Sequence, residues 1–185
     1  KYGIDDAYIQ DFLSSMKADL EKKEYKSLSE MNDYIYGSAD VVSLMCLKVF
    51  CRGDLKLFQS LVMPAMRLGS AFQKVNFLRD IKEDIQQLGR HYFPQVVVSQ
   101  LDESTKAELV KDIEKDFEVA YSGIRRLPDD SRLPVMVAYK YYRSLLHKIK
   151  QTPATELMNR RIRISDSRKL GLLITSRVKH ILHLK

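Results

Sequence analysis

Apolar residues recur at helical spacing in nearly every window of the chain. Ile9, Phe12, Leu13, Met16 and Leu20 fall three and four apart, which predicts an amphipathic, core-facing helix over residues 6–23 with Asp5 capping its first turn. Ser27 and Glu30 form a capping box ahead of a helix over 28–50, on which Tyr34, Ser38, Val42, Met45 and Val49 share one face. Asp40 interrupts that small and apolar helix, and reads as a flank residue in preference to a polar group lining a cavity. Gly53 and Asp54 break the chain and open a short helix. Pro64, suited to a first helical position, opens a long helix to Leu88 that Gly89 stops, with about 25 residues and a length of ~37 Å. Residues 102–126 bury Val110, Ile113, Phe117, Ala120 and Ile124, and residues 132–150 bury Ala138, Tyr142, Leu145 and Ile149. A last helix from Ser165 buries Leu170, Leu173, Ile174, Val178 and Ile181. The fold class is all-α, a single bundle of roughly six or seven helices.

Composition supports this picture without redirecting it. A chain of 185 residues, 45% hydrophobic, can bury one sizeable core, so residues 1–185 read as one domain. Seven Gly and five Pro favour helices over a sandwich or barrel. There is no run of about 18 consecutive apolar residues and no charged-then-apolar leader, so the chain reads as cytoplasmic, without a membrane span. Cys46 and Cys51 have no CxxC spacing or His partner and read as reduced structural thiols. The four histidines lack a carboxylate or Cys partner at useful spacing and read as surface residues. Charge is more informative: 31 basic against 24 acidic residues leave +7, with the excess greatest after Arg160. Such a surface suits nucleic acid, anionic lipid or a small polyanion. With no aromatic RNA-binding motif, zinc spacing or recognition helix, nucleic acid is set aside as a partner.

The candidate chemistry sits on the long helix. Gly69, Gln73, Asn76, Asp80 and Asp84 follow one another at spacings of four, three, four and four, and so share one face. Leu68, Ala71, Val75 and Leu78 form a core stripe opposite. Two carboxylates one turn apart repel, and a fold that aims them inward supplies a cation to offset the repulsion. Magnesium takes hard oxygen ligands, commonly one or two carboxylates plus substrate phosphates. Asp80 and Asp84 supply these. Asn76 and Gln73 continue the row toward a phosphate oxygen or a metal-bound water, and Arg79 flanks it as a charge partner. Glu83 lies further round the helix. The same spacing at Asp112 and Asp116 has charged neighbours and no amide row, and reads as a solvated flank.

The string QKVNFLRDIKEDIQQLGRHYFP, Gln73 to Pro94, resembles the second aspartate-rich motif of the squalene and phytoene synthases, QxxNxxRDxxEDxxxGRxYxP with slight spacing variation. Gln73, Asn76, Arg79, Asp80, Glu83, Asp84, Gly89, Arg90, Tyr92 and Pro94 match. YIYGSADVVSLM is similar to the family's YxxxVAGxVGxM helix at Tyr34, Ala39, Val42 and Met45. Tyr142, then Arg161, Ser165 and Lys169 in RRIRISDSRKL, resemble its C-terminal segment. Asp40 and Ser43 stand where the family usually has Gly, and Ser38 where it has Val. Those positions line the family's prenyl tunnel or let helices approach, so chain-length selectivity stays open. The family carries two aspartate-rich motifs on facing helices, and residues 1–33 contain no DxxxD. The chain is therefore expected to be an N-terminally incomplete bundle of the isoprenoid synthase type, the C-terminal two-thirds of the family domain.

The resemblance implies condensation of two geranylgeranyl diphosphates, head to head, to phytoene through a cyclopropylcarbinyl diphosphate, a step of carotenoid biosynthesis. It implies Mg²⁺, or Mn²⁺ in its place, on Asp80, Asp84 and Asn76. Gln73, Asn76, Arg79, Tyr142 and Arg161 would hold diphosphate. Tyr34, counted with Asp80 and Asp84 as catalytic, would line the apolar cavity with Ala39, Val42, Gly69 and Phe72. Core packing explains Val42 and Phe72 equally well. The implied partners are prenyl diphosphates, with peripheral contact at the inner face of a membrane helped by the basic C-terminal helix. Squalene or dehydrosqualene synthesis from farnesyl diphosphate is one alternative, and a non-catalytic helical piece that binds diphosphate is another. With the facing motif outside it, the 185-residue chain alone is expected to turn over little or no substrate.

Overall fold

A computed structural model describes residues 2–96, 101–165 and 171. Helix α1, Asp6–Glu21, opens on the expected cap, the Asp5 carboxylate accepting from the Ala7 N–H at 2.9 Å. Its apolar stripe does not face the core: Ile9, Leu13 and Leu20 are 40%, 52% and 83% exposed. The buried residue of α1 is Ser15, ~100° round the helix from that stripe, because Gly37 packs against Ser15 so closely that a β-carbon there would collide with its hydroxyl.

Helix α2, Leu28–Ile35, is capped by Ser27, whose hydroxyl accepts from the Glu30 N–H at 3.2 Å. It runs through a π-helical turn, Tyr36–Asp40, into α3, Val41–Cys51. A π turn takes one extra residue, so the inward face changes register. Val41, Leu44, Leu47 and Cys51 are buried, whereas Val42 and Met45 are half-buried and Val49 is exposed. The same turn carries Asp40 inside, 7% exposed, where the Ser70 hydroxyl donates to it at 2.8 Å. Asp40 is therefore not a flank residue, and burial pushes its carboxyl up to about 7. The run Leu28–Cys51 is, by length and composition only, long and apolar enough to cross a membrane, though it holds no unbroken run of 18 apolar residues. Here Tyr34, Ile35, Val41, Leu44 and Leu47 bury its inner face in the bundle.

Helix α4 spans Leu55–Gln86, 32 residues and ~48 Å. It does not begin at Pro64 but passes through it. Proline has no N–H for the Ser60 carbonyl, and that carbonyl instead accepts from the Arg126 guanidinium at 3.3 Å, while the Ser60 hydroxyl accepts a second Arg126 donor at 2.6 Å. The helix stops at Gly89, φ +62°, where the Arg90 N–H returns to the Asp84 carbonyl at 2.7 Å.

Helices α5, Glu103–Ile124, and α6, Asp129–Gln151, follow, then the short α7, Ala154–Leu157. The core gathers Ala71, Val75, Leu78 and Ile81 of α4, Ile113 and Phe117 of α5, Leu145 and Ile149 of α6, and Leu157. Of the pair read as a solvated flank, Asp112 is exposed, its side chain 57% accessible, but Asp116 is buried. The buried Lys74 ammonium reaches them at 2.6 and 2.8 Å, and Asp116, 4% exposed, also pairs with Arg67 at 3.2 Å. Burial pulls the Lys74 ammonium down, but its two carboxylates outweigh this and hold it above its usual value. Among the described residues no strand forms beyond one isolated bridge, Glu24 with His91. The last expected helix, with Lys169, His180 and His183, lies outside the described residues except for Ser165, which is not helical, and Gly171.

Candidate active site

The polar stripe is built as its spacing requires, because α4 is regular from Gly69 to Asp84. Asp80 is the most heavily paired of its members. Arg79 grips it with two guanidinium donors at 2.9 and 2.5 Å. Arg161, on the segment after α7, adds a third contact at 2.7 Å and reaches Glu83 at 3.2 Å. Its hydrogen bond to Asp80 holds Arg79 above its usual range, against burial. Asp84, one turn on, is half-buried without an ion-pair or hydrogen-bond partner among the described residues. Burial, then the neighbouring Asp80 charge, push its carboxyl up to about 6.

That chemistry fits a divalent ion. A half-buried carboxylate beside another carboxylate is an anionic pair that a cation would relieve. Among the described residues no three His, Cys, Asp or Glu side chains converge on one point. The chain thus offers part of a ligand shell, as magnesium accepts when phosphate oxygens and waters complete it.

Next to Asp80 opens a groove of about 620 Å³ lined by Arg79, Tyr141, Arg161, Arg163 and Ser165. Three guanidiniums there suit phosphate oxygens. On the other side of the stripe, between α3, α4, α5 and α6, lies an apolar cavity of about 390 Å³. Val42 and Phe72 line it, and Phe72 packs against the core as well. So do Phe50, Leu61, Ala65 and Gly123, none of them singled out in the sequence, and Leu68 and Ala138, which the sequence assigned to the core. The missed signal is the row 61, 65, 68 and 72, a second apolar face of α4 beside the core stripe. Phe72 joins the two regions: its ring stacks on Tyr142, centroids 3.9 Å apart and 17° from parallel, and the Tyr142 hydroxyl donates to the Asn76 side-chain oxygen at 3.3 Å.

Tyr34, Ala39 and Gly69 do not line that cavity. Gly69 is a helix crossing: a β-carbon there would lie 2.7 Å from both the Ala39 carbonyl oxygen and the Ser43 hydroxyl. Tyr34, 6% exposed, sits in an aromatic cluster with Tyr25, Phe77 and Tyr92, and its hydroxyl donates to the Asp19 carboxylate at 3.0 Å. Burial pushes its phenol far up, so it stays a neutral donor. Arg90 closes the cluster by donating to the Asp19 carbonyl. Asp19 carried no sequence signal, because it lies off the apolar stripe of α1. His147 is exposed as expected, whereas His91 is half-buried in the bridge to Glu24.

A model of the squalene/phytoene synthase family matches residues 1–168. Among curated relatives, phytoene synthase 1 of Solanum lycopersicum is 30% identical over 91% of this chain and 45% of its own length. The phytoene synthase of Arthrospira platensis is 27% identical over 94% of this chain and 63% of its own. A solved dehydrosqualene synthase superposes with a TM-score of 0.77 at 24% identity, covering 95% of this chain and 65% of that one. A squalene synthase of Alicyclobacillus acidocaldarius gives 0.70 at 18%, covering 87% and 63%. The chain thus spans about half the length of its plant relatives and under two-thirds of the bacterial ones.

Proposed function

The chain belongs to the squalene/phytoene synthase family, and from that premise we propose that it serves the head-to-head joining of two geranylgeranyl diphosphates to phytoene, with Mg²⁺ as cofactor. The observation that carries this reading is the contact of Phe72, Tyr142 and Asn76, where an apolar cavity meets a carboxylate and guanidinium cluster. A prenyl diphosphate is such a molecule, an apolar chain ending in a polyanion. The curated phytoene synthases among the relatives support the twenty-carbon substrate over farnesyl diphosphate.

When bound, the divalent ion offsets the negative charge that develops as diphosphate leaves. Asp80 and Asp84 would hold it, with Asn76 and Gln73 beside them. Arg79 and Arg161 bind and orient the diphosphate oxygens, each as a planar fork matched to phosphate. As the first carbon–oxygen bond breaks, an allylic cation forms in a cavity whose walls exclude water. The stacked rings of Phe72 and Tyr142 present aromatic faces near that end, which favour a cation. The partner's double bond attacks the cation, and proton loss closes the cyclopropane. Its diphosphate leaves in turn, and the rearranged cation loses a second proton to give the central double bond of phytoene. Asp84 lies in the pocket with Phe77, Arg90 and Tyr92, and Tyr34 reaches this region through its stacking on Phe77 and Tyr92, as a positioning residue.

The test gives radiolabelled geranylgeranyl and farnesyl diphosphates, with Mg²⁺, to the gene product that carries this chain. Phytoene from the first, and its loss in Asp80→Asn and Asp84→Asn, is the expected result. Squalene-type product from farnesyl diphosphate alone would overturn the substrate assignment, and unimpaired variants would overturn the metal ligands.

A further inference from the structure

Asp80 already carries cations. Three carboxylates, Asp80, Glu83 and Asp84, lie within one and a half turns of α4, and two guanidiniums have settled on them unevenly. Arg79 and Arg161 converge on Asp80, at 2.5, 2.9 and 2.7 Å, leaving Asp84 without a partner among the described residues. Arg161 also spans to Glu83 at 3.2 Å, and both arginines line the basic groove in which Arg163 is a further cation. The Asp80 side chain is 19% exposed and those of Arg79 and Arg161 are 20% and 35% exposed, so these pairs are partly shielded from solvent. Only a free Asp80 oxygen can bind a metal, and these guanidinium contacts compete with that.

We propose that Arg79 and Arg161 form an arginine lock on Asp80, which keeps a divalent ion out until a diphosphate arrives to receive the guanidiniums. The inference rests on Asp80 and Asp84 as the metal ligands. An arginine leaving Asp80 with nothing to bind loses its charge-assisted contacts, whereas one that turns to a diphosphate oxygen replaces them. Glu83 holds Arg161 at the groove during that exchange, so the side chain swings and does not depart. Ion and diphosphate then enter as one unit. The bare ion binds weakly, and each ligand raises the affinity of the other by the same factor, as linkage requires.

The experiment titrates Mn²⁺ into the 185-residue protein, read by the loss of free-ion electron paramagnetic resonance signal, with and without inorganic diphosphate. Ion bound to diphosphate in solution is subtracted from a protein-free titration, and circular dichroism checks the fold of each variant. The wild-type protein is expected to bind Mn²⁺ at least tenfold more tightly when diphosphate is present. Arg161→Gln is expected to bind bare Mn²⁺ about three- to fivefold more tightly than wild type, as release of a competing ion pair implies, and to lose most of the gain from diphosphate. Arg79→Gln moves the same way. Lys82→Gln removes an equal charge from α4 without a contact to Asp80, and should change bare-ion affinity less than about twofold. Equal bare-ion affinity in wild type and both arginine variants, or equal tightening in Lys82→Gln, overturns the lock while leaving the metal ligands standing. Mn²⁺ uptake that Asp80→Asn and Asp84→Asn leave untouched overturns the ligand assignment, and the lock with it.

Discussion

The Tyr142 hydroxyl donates to the Asn76 side-chain oxygen at 3.3 Å while its ring lies flat on Phe72. One residue of α6 thus touches both the polar stripe and the apolar cavity of α4. Tyr142→Phe keeps the stack and removes the hydrogen bond, so stability should fall by no more than about 1 kcal/mol. Affinity for a prenyl diphosphate should fall about five- to tenfold, because Asn76 loses its partner. Denaturant unfolding and calorimetric titration together check the pair of expectations.

Asp40 makes a pH signature. Burial raises its carboxyl from 3.8 to about 7, the nearby Asp116 adding to this while the Ser70 hydrogen bond, Arg67 and Lys74 oppose it. Between those two values the folded protein binds more protons than the unfolded chain, so the Asp40 contribution to stability declines as pH rises through that window and levels off above it. Asp40→Asn should be more stable than wild type at pH 8 by about 1–2 kcal/mol and should flatten the slope. Unfolding free energies at intervals from pH 4 to 8 read it directly.

Lys74 is a buried cation between two acids of α5, and Asp116 beside it is 4% exposed. Lys74→Ala leaves that carboxylate with Arg67 as its remaining partner. A loss of about 3 kcal/mol is expected at neutral pH. Thermal and denaturant unfolding at pH 7 measure it.

Ala65 faces the middle of the apolar cavity. Ala65→Phe should leave the binding of inorganic diphosphate unchanged and weaken geranylgeranyl diphosphate at least tenfold more than it weakens a ten-carbon analogue, since each methylene denied burial costs ~0.8 kcal/mol. Competition binding with the three ligands reads the difference.

Much of this was legible in the residues. The all-α class, the caps at Asp5 and Ser27, the interiors of α5 and α6, and the stripe from Gln73 to Asp84 follow from spacing, because those helices keep one period throughout. Reading failed where the period changed or a distant group intervened. Pro64 looked like a helix start, since nothing local to it announces that Arg126 will take up the Ser60 carbonyl. Asp40 looked like a flank residue because the π turn that rotates it inward has no sequence mark. α1 was misread for another reason: it packs by Ser15 against Gly37, so its small residue and not its apolar stripe chooses the contact face.

The unbroken course of α4 through Pro64 makes the helix a ruler. Polar stripe and cavity wall are marked on one rod, and a helical turn, about 5.4 Å, is roughly the extended length of one five-carbon prenyl unit. For the proposed prenyl diphosphate, positions 72, 68, 65 and 61 would graduate the cavity in isoprene units, counted from the end where Asn76 meets Tyr142. Bulky side chains introduced one at a time along that row should sort substrates by whole units, so that product length can be dialled from a single helix.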